Sequence, residues 1–316
     1  MEVSVIVRGQ ERANVLQEHG VKPYLIGSLD DTEAVTKAAS EHDIVFNTAS
    51  GFHTNGARAL IIGLGQRKKV TGKEVYYFHT TGTSNIGDKP ITKDYYEPRI
   101  LSDKDDLYTY LKGREAKEVY AQRTTDIVSI ETGLEHGVKT YLIMSPTIYG
   151  TGTGLFNRTS SQLPSLIRTA IKHGKVDLLG DGTGVWDQIH ISDLVTLYEL
   201  LLARVLANEN IPSGKEGIYF SEAGDFTWRE LSEGLAAELY KQGVLPTAEV
   251  NSLPLQEFAD LYSGGDAQYS ELGFASNSRS RAELSRELGW KPARTRGDFK
   301  KSFAEEVSWI VAQLKK

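Results

Sequence analysis

The first 150 residues alternate short strand-like runs with helix-like segments, and that alternation leaves few architectures open. Residues 3–7, 24–26, 44–49, 75–79 and 141–144 are β-branched or aromatic runs. Apolar spacing predicts helices between them, over 9–19, 31–41, 57–64 and from 116 onward. Asp30, with Glu33 three residues on, reads as a capping box opening the second of these. Alternation of this kind predicts an α/β fold, a doubly wound parallel sheet with helices on both faces. Such sheets bind ligands just beyond the carboxyl ends of their strands. The candidate functional segments are therefore Arg8-Gly9, Gly27-Ser28-Leu29, Thr48-Ala49-Ser50, Thr80-Thr81-Gly82 and Ser145-Pro146-Thr147.

The second half is less regular. Helices are predicted over 161–173, 193–206, 228–241 and 298–314, with a strand over 185–191. Thr227 with Glu230, and Ser280 with Glu283, have the spacing of capping boxes. The Gly-rich stretch 150–154 is the natural boundary. It divides a nucleotide-binding domain, 1–150, from a smaller substrate domain, 151–316, with residues 185–207 expected to return to the first.

Composition removes several classes of function. Without cysteine, disulfides, thiol nucleophiles and Cys-ligated metals are excluded. The seven histidines show no ligand spacing, so no metal site is expected. A formal net charge of −6 gives no reason to expect nucleic acid or an anionic membrane as partner. No apolar run approaches the roughly 18 residues of a membrane span, and the start lacks the features of a signal peptide. The expected location is cytoplasmic, and the expected partner a small-molecule substrate.

Five segments, in order, resemble the extended short-chain dehydrogenase/reductase superfamily, in its epimerase/dehydratase-like, fungal-type branch. Gly27-Ser28-Leu29-Asp30-Asp31 is similar to that family's adenine-contacting GDLxD. Phe78-His79-Thr80-Thr81-Gly82-Thr83 resembles its catalytic Ser/Thr strand end. Met144-Ser145-Pro146-Thr147-Ile148-Tyr149-Gly150 resembles LRPxxVYG, Ile189-His190-Ile191-Ser192-Asp193-Leu194 resembles HVxDL, and Leu288-Gly289-Trp290-Lys291-Pro292 resembles LGWxP. The resemblance implies a Rossmann-like domain with a smaller carboxyl-terminal substrate domain. It also implies a nicotinamide cofactor held by residues among Arg8, Ser28, Leu29, Thr48, Ala49, Thr80, Ser145, Pro146 and Thr147. Homodimerisation through a helix pair including 114–136 would follow as well. Arginine after the first strand accommodates the 2′-phosphate of NADP where a carboxylate would select NAD. Arg8, helped by Arg12, therefore points to NADP; the bland alternative is a solvated arginine at a helix start, and NAD stays open. His190 reads as a structural residue.

Two departures stand against this. The family opens with a strand and a GxxGxxG turn that lets the backbone approach the cofactor pyrophosphate. Here residues 3–7 read as the family's second strand. Gly63-Leu64-Gly65 reads as the end of a helix, and Arg67-Lys68-Lys69 as a solvated loop. The expectation is a truncated or mis-assigned start, and direct pairing of the strands at Val3 and Ile44 would count against it. The second departure is catalytic. The family pairs a Tyr with a Lys four residues on, which lowers the phenol's pKa. Here Tyr120 is followed by Thr124, with Arg123 expected to point off the Tyr120 face. Tyr120 is a proton donor or merely part of an apolar stripe. Thr81 orients a substrate carbonyl or hydroxyl, or satisfies local backbone. Two functions remain: an NADP(H)-dependent oxidoreductase or epimerase acting on a small organic carbonyl or hydroxyl, and a catalytically silent NAD(P)-sensing or interaction protein of the same fold.

Overall fold

A computed structural model describes residues 2–97 and 99–314. The amino-terminal elements are β1 (Ser4–Val7), α1 (Gln10–Glu18), β2 (Lys22–Leu25), α2 (Thr32–Ala39), β3 (Ile44–Asn47), α3 (Thr54–Thr71) and β4 (Tyr76–Gly82). Then come β5 (Leu101–Ser102), α4 (Leu107–Glu115), α5 (Ala121–His136), β6 (Lys139–Ser145), β7 (Thr147–Tyr149), α6 (Gln162–His173), β8 (Val176–Leu179), β9 (Val185–His190) and α7 (Ile191–Leu206). The chain closes with β10 (Ile218–Phe220), β11 (Asp225–Thr227), α8 (Trp228–Lys241), β12 (Val250–Leu253), α9 (Leu255–Tyr262), α10 (Ala267–Phe274), β13 (Ser280–Arg281), α11 (Glu283–Glu287) and α12 (Arg296–Leu314). Among the described residues no helix is long and apolar enough to cross a membrane.

The chain forms two compact units. The first comprises Met1–Gly82, Asp106–Met144 and Pro212–Tyr219; the second comprises Thr83–Asp105, Ser145–Ile211 and Phe220–Lys316. In the first unit β1 pairs in parallel with β2, and β3 in parallel with β4. The second ladder belongs to a sheet ordered β10-β6-β4-β3, and β1-β2 forms a sheet of its own. Among the described residues β1 does not pair with β3. Ile26, Val35, Ile61, Leu64, Val75 and Tyr77 build a core that Ile6 and Val45 also touch. On the other side of the larger sheet, aromatic rings run across the strands. Phe46 stacks on Phe78 at 4.6 Å and Phe78 on Tyr141 at 4.8 Å, with Tyr219 beyond.

Several local expectations are corrected. Gly63-Leu64-Gly65 does not end a helix; α3 runs on to Thr71 and stops at Gly72, in the left-handed conformation. Its glycines serve close approach instead. A Cβ on Gly63 would lie 2.3 Å from the Thr36 carbonyl oxygen, and one on Gly65 2.8 Å from the His136 side chain. Arg67-Lys68-Lys69 is helical, with Arg67 paired to Asp43 at 2.7 Å and Lys68 bonded to the Gly137 carbonyl at 2.8 Å. Asp31, not Asp30, caps α2, accepting from the Ala34 amide, so Glu33 falls outside the box position. Residues 116–120 are not helical. They separate α4, unforeseen in the sequence, from α5.

In the second unit β11, β9 and β7 form one sheet, and β8 pairs with β12. Trp186, Phe226, Trp228, Phe258, Phe274 and Phe299 fill the core. The capping box at Thr227 and Glu230 forms as the spacing predicts. Thr227→Ala is expected to cost about 1 kcal/mol, read as a lowered urea midpoint. Ser280 does not cap a helix. It pairs in β13 with Leu101 of β5. The Trp290 indole donates to the Asp193 carbonyl at 3.0 Å, so the LGWxP-like and HVxDL-like segments meet.

Candidate functional site

The first unit gathers most of the predicted positions at strand ends. Arg8, Thr48 and Ala49 are exposed, and Ser28, Leu29 and Thr80 partly so. The Ser28 hydroxyl donates to Asp30 at 2.9 Å. Asp30 in turn meets the His53 ring at 3.2 Å, tying the loop after β2 to the loop after β3.

Deeper in, polar side chains replace the apolar packing usual beneath a parallel sheet. Asn47, His79, Thr81, Gln122, Thr125 and Asp126 are all buried. The Thr81 hydroxyl donates to Asp126 Oδ2 at 2.9 Å. His79 Nε2 stands 3.5 Å from Asp126 Oδ1. Asn47 Nδ2 lies 2.9 Å from the Tyr77 hydroxyl and 3.1 Å from His79 Nδ1. Burial drives the His79 imidazole down to about 4, so the ring is neutral at physiological pH. The Gln122 side chain fills the space beside Gly51 and Gly82, which a Cβ at either position would enter.

Tyr120 is the residue before α5, with extended backbone, and is not on the helix face assumed from its spacing to Thr124. It is 3% exposed and packs edge-on against Phe52 at 5.9 Å. Because it precedes the helix, Arg123 does not point away from it. The guanidinium lies 5.6 Å over the phenol ring and donates to the Glu118 carbonyl at 2.9 Å. A buried positive charge thus stands beside the ring where the sequence suggested none. Burial pulls the Arg123 pKa below its usual value. Thr124 bonds to Glu115 and to the Tyr120 carbonyl, and Glu115 accepts from the Tyr120 amide at 3.1 Å.

Ser145, Pro146 and Thr147 lie in the second unit and are buried. Their hydroxyls are engaged there: Ser145 accepts from Ser221 at 3.1 Å, and Thr147 donates to Gln162 at 2.9 Å. His190 caps α7, its ring accepting from the Ser192 amide, as a structural residue would.

Asn47, His79, Gln122 and Asp126 were missed from the sequence. A signal existed for two of them. Gln122, Asp126 and Ile130 recur every fourth residue, which puts two polar groups on a helix face that also carries isoleucine.

Residues 103–212 match the model of the NAD dependent epimerase/dehydratase family. Over 309 residues the chain is 27% identical to the oxidase ucsJ of an Acremonium species, across 92% of this chain and 85% of the relative. It superposes on a dTDP-glucose 4,6-dehydratase of Streptomyces venezuelae, solved with NAD and TYD bound, with TM-score 0.66 at 16% identity, covering 99% of this chain and 88% of that one. A UDP-glucose 4-epimerase of Thermotoga maritima gives 0.59 at 14%, covering 99% and 100%. The Rossmann-like α/β fold and the extended short-chain dehydrogenase/reductase resemblance read from the sequence both hold. Tyr120 and Asp126 fall inside the epimerase/dehydratase segment, and Asn47, His79 and Thr81 outside it.

The residues present fit a nicotinamide dinucleotide in part. The start of α1, after Gly9, has no side-chain cap and is flanked in sequence by Arg8 and Arg12. Asp31 caps α2, His53 α3 and Asp106 α4, while α5, like α1, has no side-chain cap. The 316 residues contain no GxxGxxG turn.

Proposed function

We propose that the protein is an NADP(H)-dependent oxidoreductase or epimerase acting on a carbonyl or hydroxyl of a small organic substrate. The observation that carries this reading is the buried set Asn47, His79, Thr81 and Asp126, gathered where β3 and β4 end. Polar and ionisable groups buried together at strand ends are a mark of working sites. The family of residues 103–212, and the fold shared with a dehydratase solved with NAD, support a nicotinamide dinucleotide as the cofactor. The choice of NADP rests on Arg8 and Arg12 at the open start of α1. Thr81 is the residue that meets the substrate oxygen, and Tyr120 the proton donor. Dimerisation through α5 and a cytoplasmic location belong to the same proposal.

One observation favours a second reading, a silent cofactor-sensing protein. Thr124 stands where the proton-transfer lysine would be, and it is tied to Glu115 and to the Tyr120 backbone.

The test is a calorimetric titration of the whole chain with NADPH and then NADH. Micromolar binding of NADPH, at least about tenfold tighter than NADH, is expected. Binding to neither, by a folded protein, overturns both readings. Binding without turnover in a substrate screen leaves the second.

A further inference from the structure

Next to Tyr120 the first unit presents hydrocarbon to solvent and no charge. Gly51 lets the loop after β3 press on α5 and β4, since a Cβ there would lie 3.0 Å from Gln122 Nε2 and 3.4 Å from the Thr80 carbonyl oxygen. The Phe52 amide donates to the Ser50 hydroxyl at 3.1 Å, and the next residue, His53, caps α3. Phe52 is therefore held from both sides along the chain, and its ring meets Tyr120 edge-on at 5.9 Å. Tyr120 is 3% exposed, whereas Phe52 is 41% exposed and Val119, the residue before Tyr120, 70%. The surface offered beside the phenol is thus aromatic and aliphatic carbon, which gains free energy when a ligand covers it. Segments 48–53, 80–82 and 119–122 contain no Lys, Arg, Asp or Glu. Arg123 is fully buried and donates to the Glu118 carbonyl, and the His53 ring is turned to Gly56 and Asp30. An anionic group set against these segments would lose water without meeting a cation.

We propose that Phe52 and Val119 are specificity-determining residues that take the aryl or bulky alkyl flank of an uncharged carbonyl or hydroxyl substrate, and that the site rejects a ligand carrying a carboxylate or phosphate on that flank. A flat ring laid beside Phe52 finds an aromatic partner already fixed in place, so little is lost in ordering it. This rests on the reading above in placing the substrate oxygen at Thr81 and Tyr120.

The test is a saturation-transfer NMR titration of the whole chain with acetophenone and with para-acetylbenzoate, which differ only in a carboxylate across the ring from the carbonyl. Acetophenone is expected to bind tighter by about tenfold or more. Phe52→Ala should weaken it by about fivefold to tenfold, while Phe52→Leu, which keeps hydrocarbon at the position, should retain most of the affinity. Phe52→Arg supplies a cation and is expected to turn the preference toward para-acetylbenzoate. Should Phe52→Ala fail to fold, Val119→Ser, at the more exposed position, carries the test with a loss of about threefold. Equal or tighter binding of para-acetylbenzoate by the parent, no binding of either compound, or unchanged acetophenone affinity in Phe52→Ala overturns the proposal. So does a Phe52→Ala protein that elutes later in size exclusion with its acetophenone affinity intact, since that marks the patch as a contact between chains. The titration needs neither turnover nor dinucleotide. Absence of NADPH binding or of turnover therefore sinks the reading above, and the ligand preference is scored separately.

Discussion

Gly63→Ala is expected to unfold the first unit or to destabilise it by about 3 kcal/mol or more, although alanine is the better helix former. The added methyl would lie 2.3 Å from the Thr36 carbonyl oxygen, 2.7 Å from Ala39 Cβ and 3.0 Å from the Ser40 amide nitrogen. None of these is the tip of a flexible side chain. The Thr36 carbonyl is already bonded to the Ser40 amide at 2.9 Å within the end of α2, so relief requires α2 and α3 to separate. Those two helices enclose Val35, Ile61 and Leu64, each fully buried. Gly113, inside α4, is the control, since nothing lies within 4 Å of the Cβ position there. Gly113→Ala should stabilise by up to about 1 kcal/mol through helix propensity. Urea unfolding of the two variants beside the parent decides it. A Gly63→Ala midpoint equal to the parent's would show that α2 and α3 are not locked as described.

Asp187→Asn is expected to change the pH dependence of stability more than any other single substitution in the second unit. Asp187 is buried, and its Oδ2 accepts both the amide and the hydroxyl of Ser280. Burial pushes its pKa up from 3.8 to about 7. Between those values the folded protein keeps a proton that the unfolded chain has lost. Stability therefore falls as pH rises from about 4 to about 7 and is level above. At about 1.4 kcal/mol per pKa unit the loss is about 4.5 kcal/mol. Asparagine imitates the protonated carboxyl and does not titrate. The variant should match the parent near pH 4 and exceed it by about that amount at pH 8. His79, held down to about 4, works in the opposite sense between about 4 and 6.5, stability rising with pH; it is present in both proteins and cancels in the difference. A difference that stays constant from pH 4 to 8 would overturn the assignment.

The parallel architecture was legible because strand and helix periods differ and each run was long enough to show its own. Residues 44–49 and 75–79 could be read as strands from their β-branched and aromatic content, and both are. What misled was local chemistry that depends on a distant partner. Gly63 and Gly65 look like helix breakers until the helices they let approach are known. Tyr120 and Thr124 have the spacing of one helix face, yet Tyr120 stands just before α5 in extended backbone, its amide donating to Glu115 of another helix. The strand-end threonine Thr81 was visible from its position. Its partner His79 was not, because a strand histidine carries no pattern until the groups packed against it are known, and the four-residue spacing of Gln122 and Asp126 was the one signal for the other.

The division of the first unit into two ladders bears on how it opens. Among the described residues no main-chain ladder bond joins β1-β2 to the larger sheet. The small block is held by side chains: Ile6 against the core, and Ser4 to His42 at 3.0 Å. Cooperative opening follows such seams, since contacts of this kind can be lost without breaking a continuous ladder. Residues 4–25 can therefore admit solvent as a block while β3, β4 and β6 stay closed. Arg8 and the open start of α1 lie inside that block, so the affinity of any anion held there is reduced by the fraction of molecules in which the block is open.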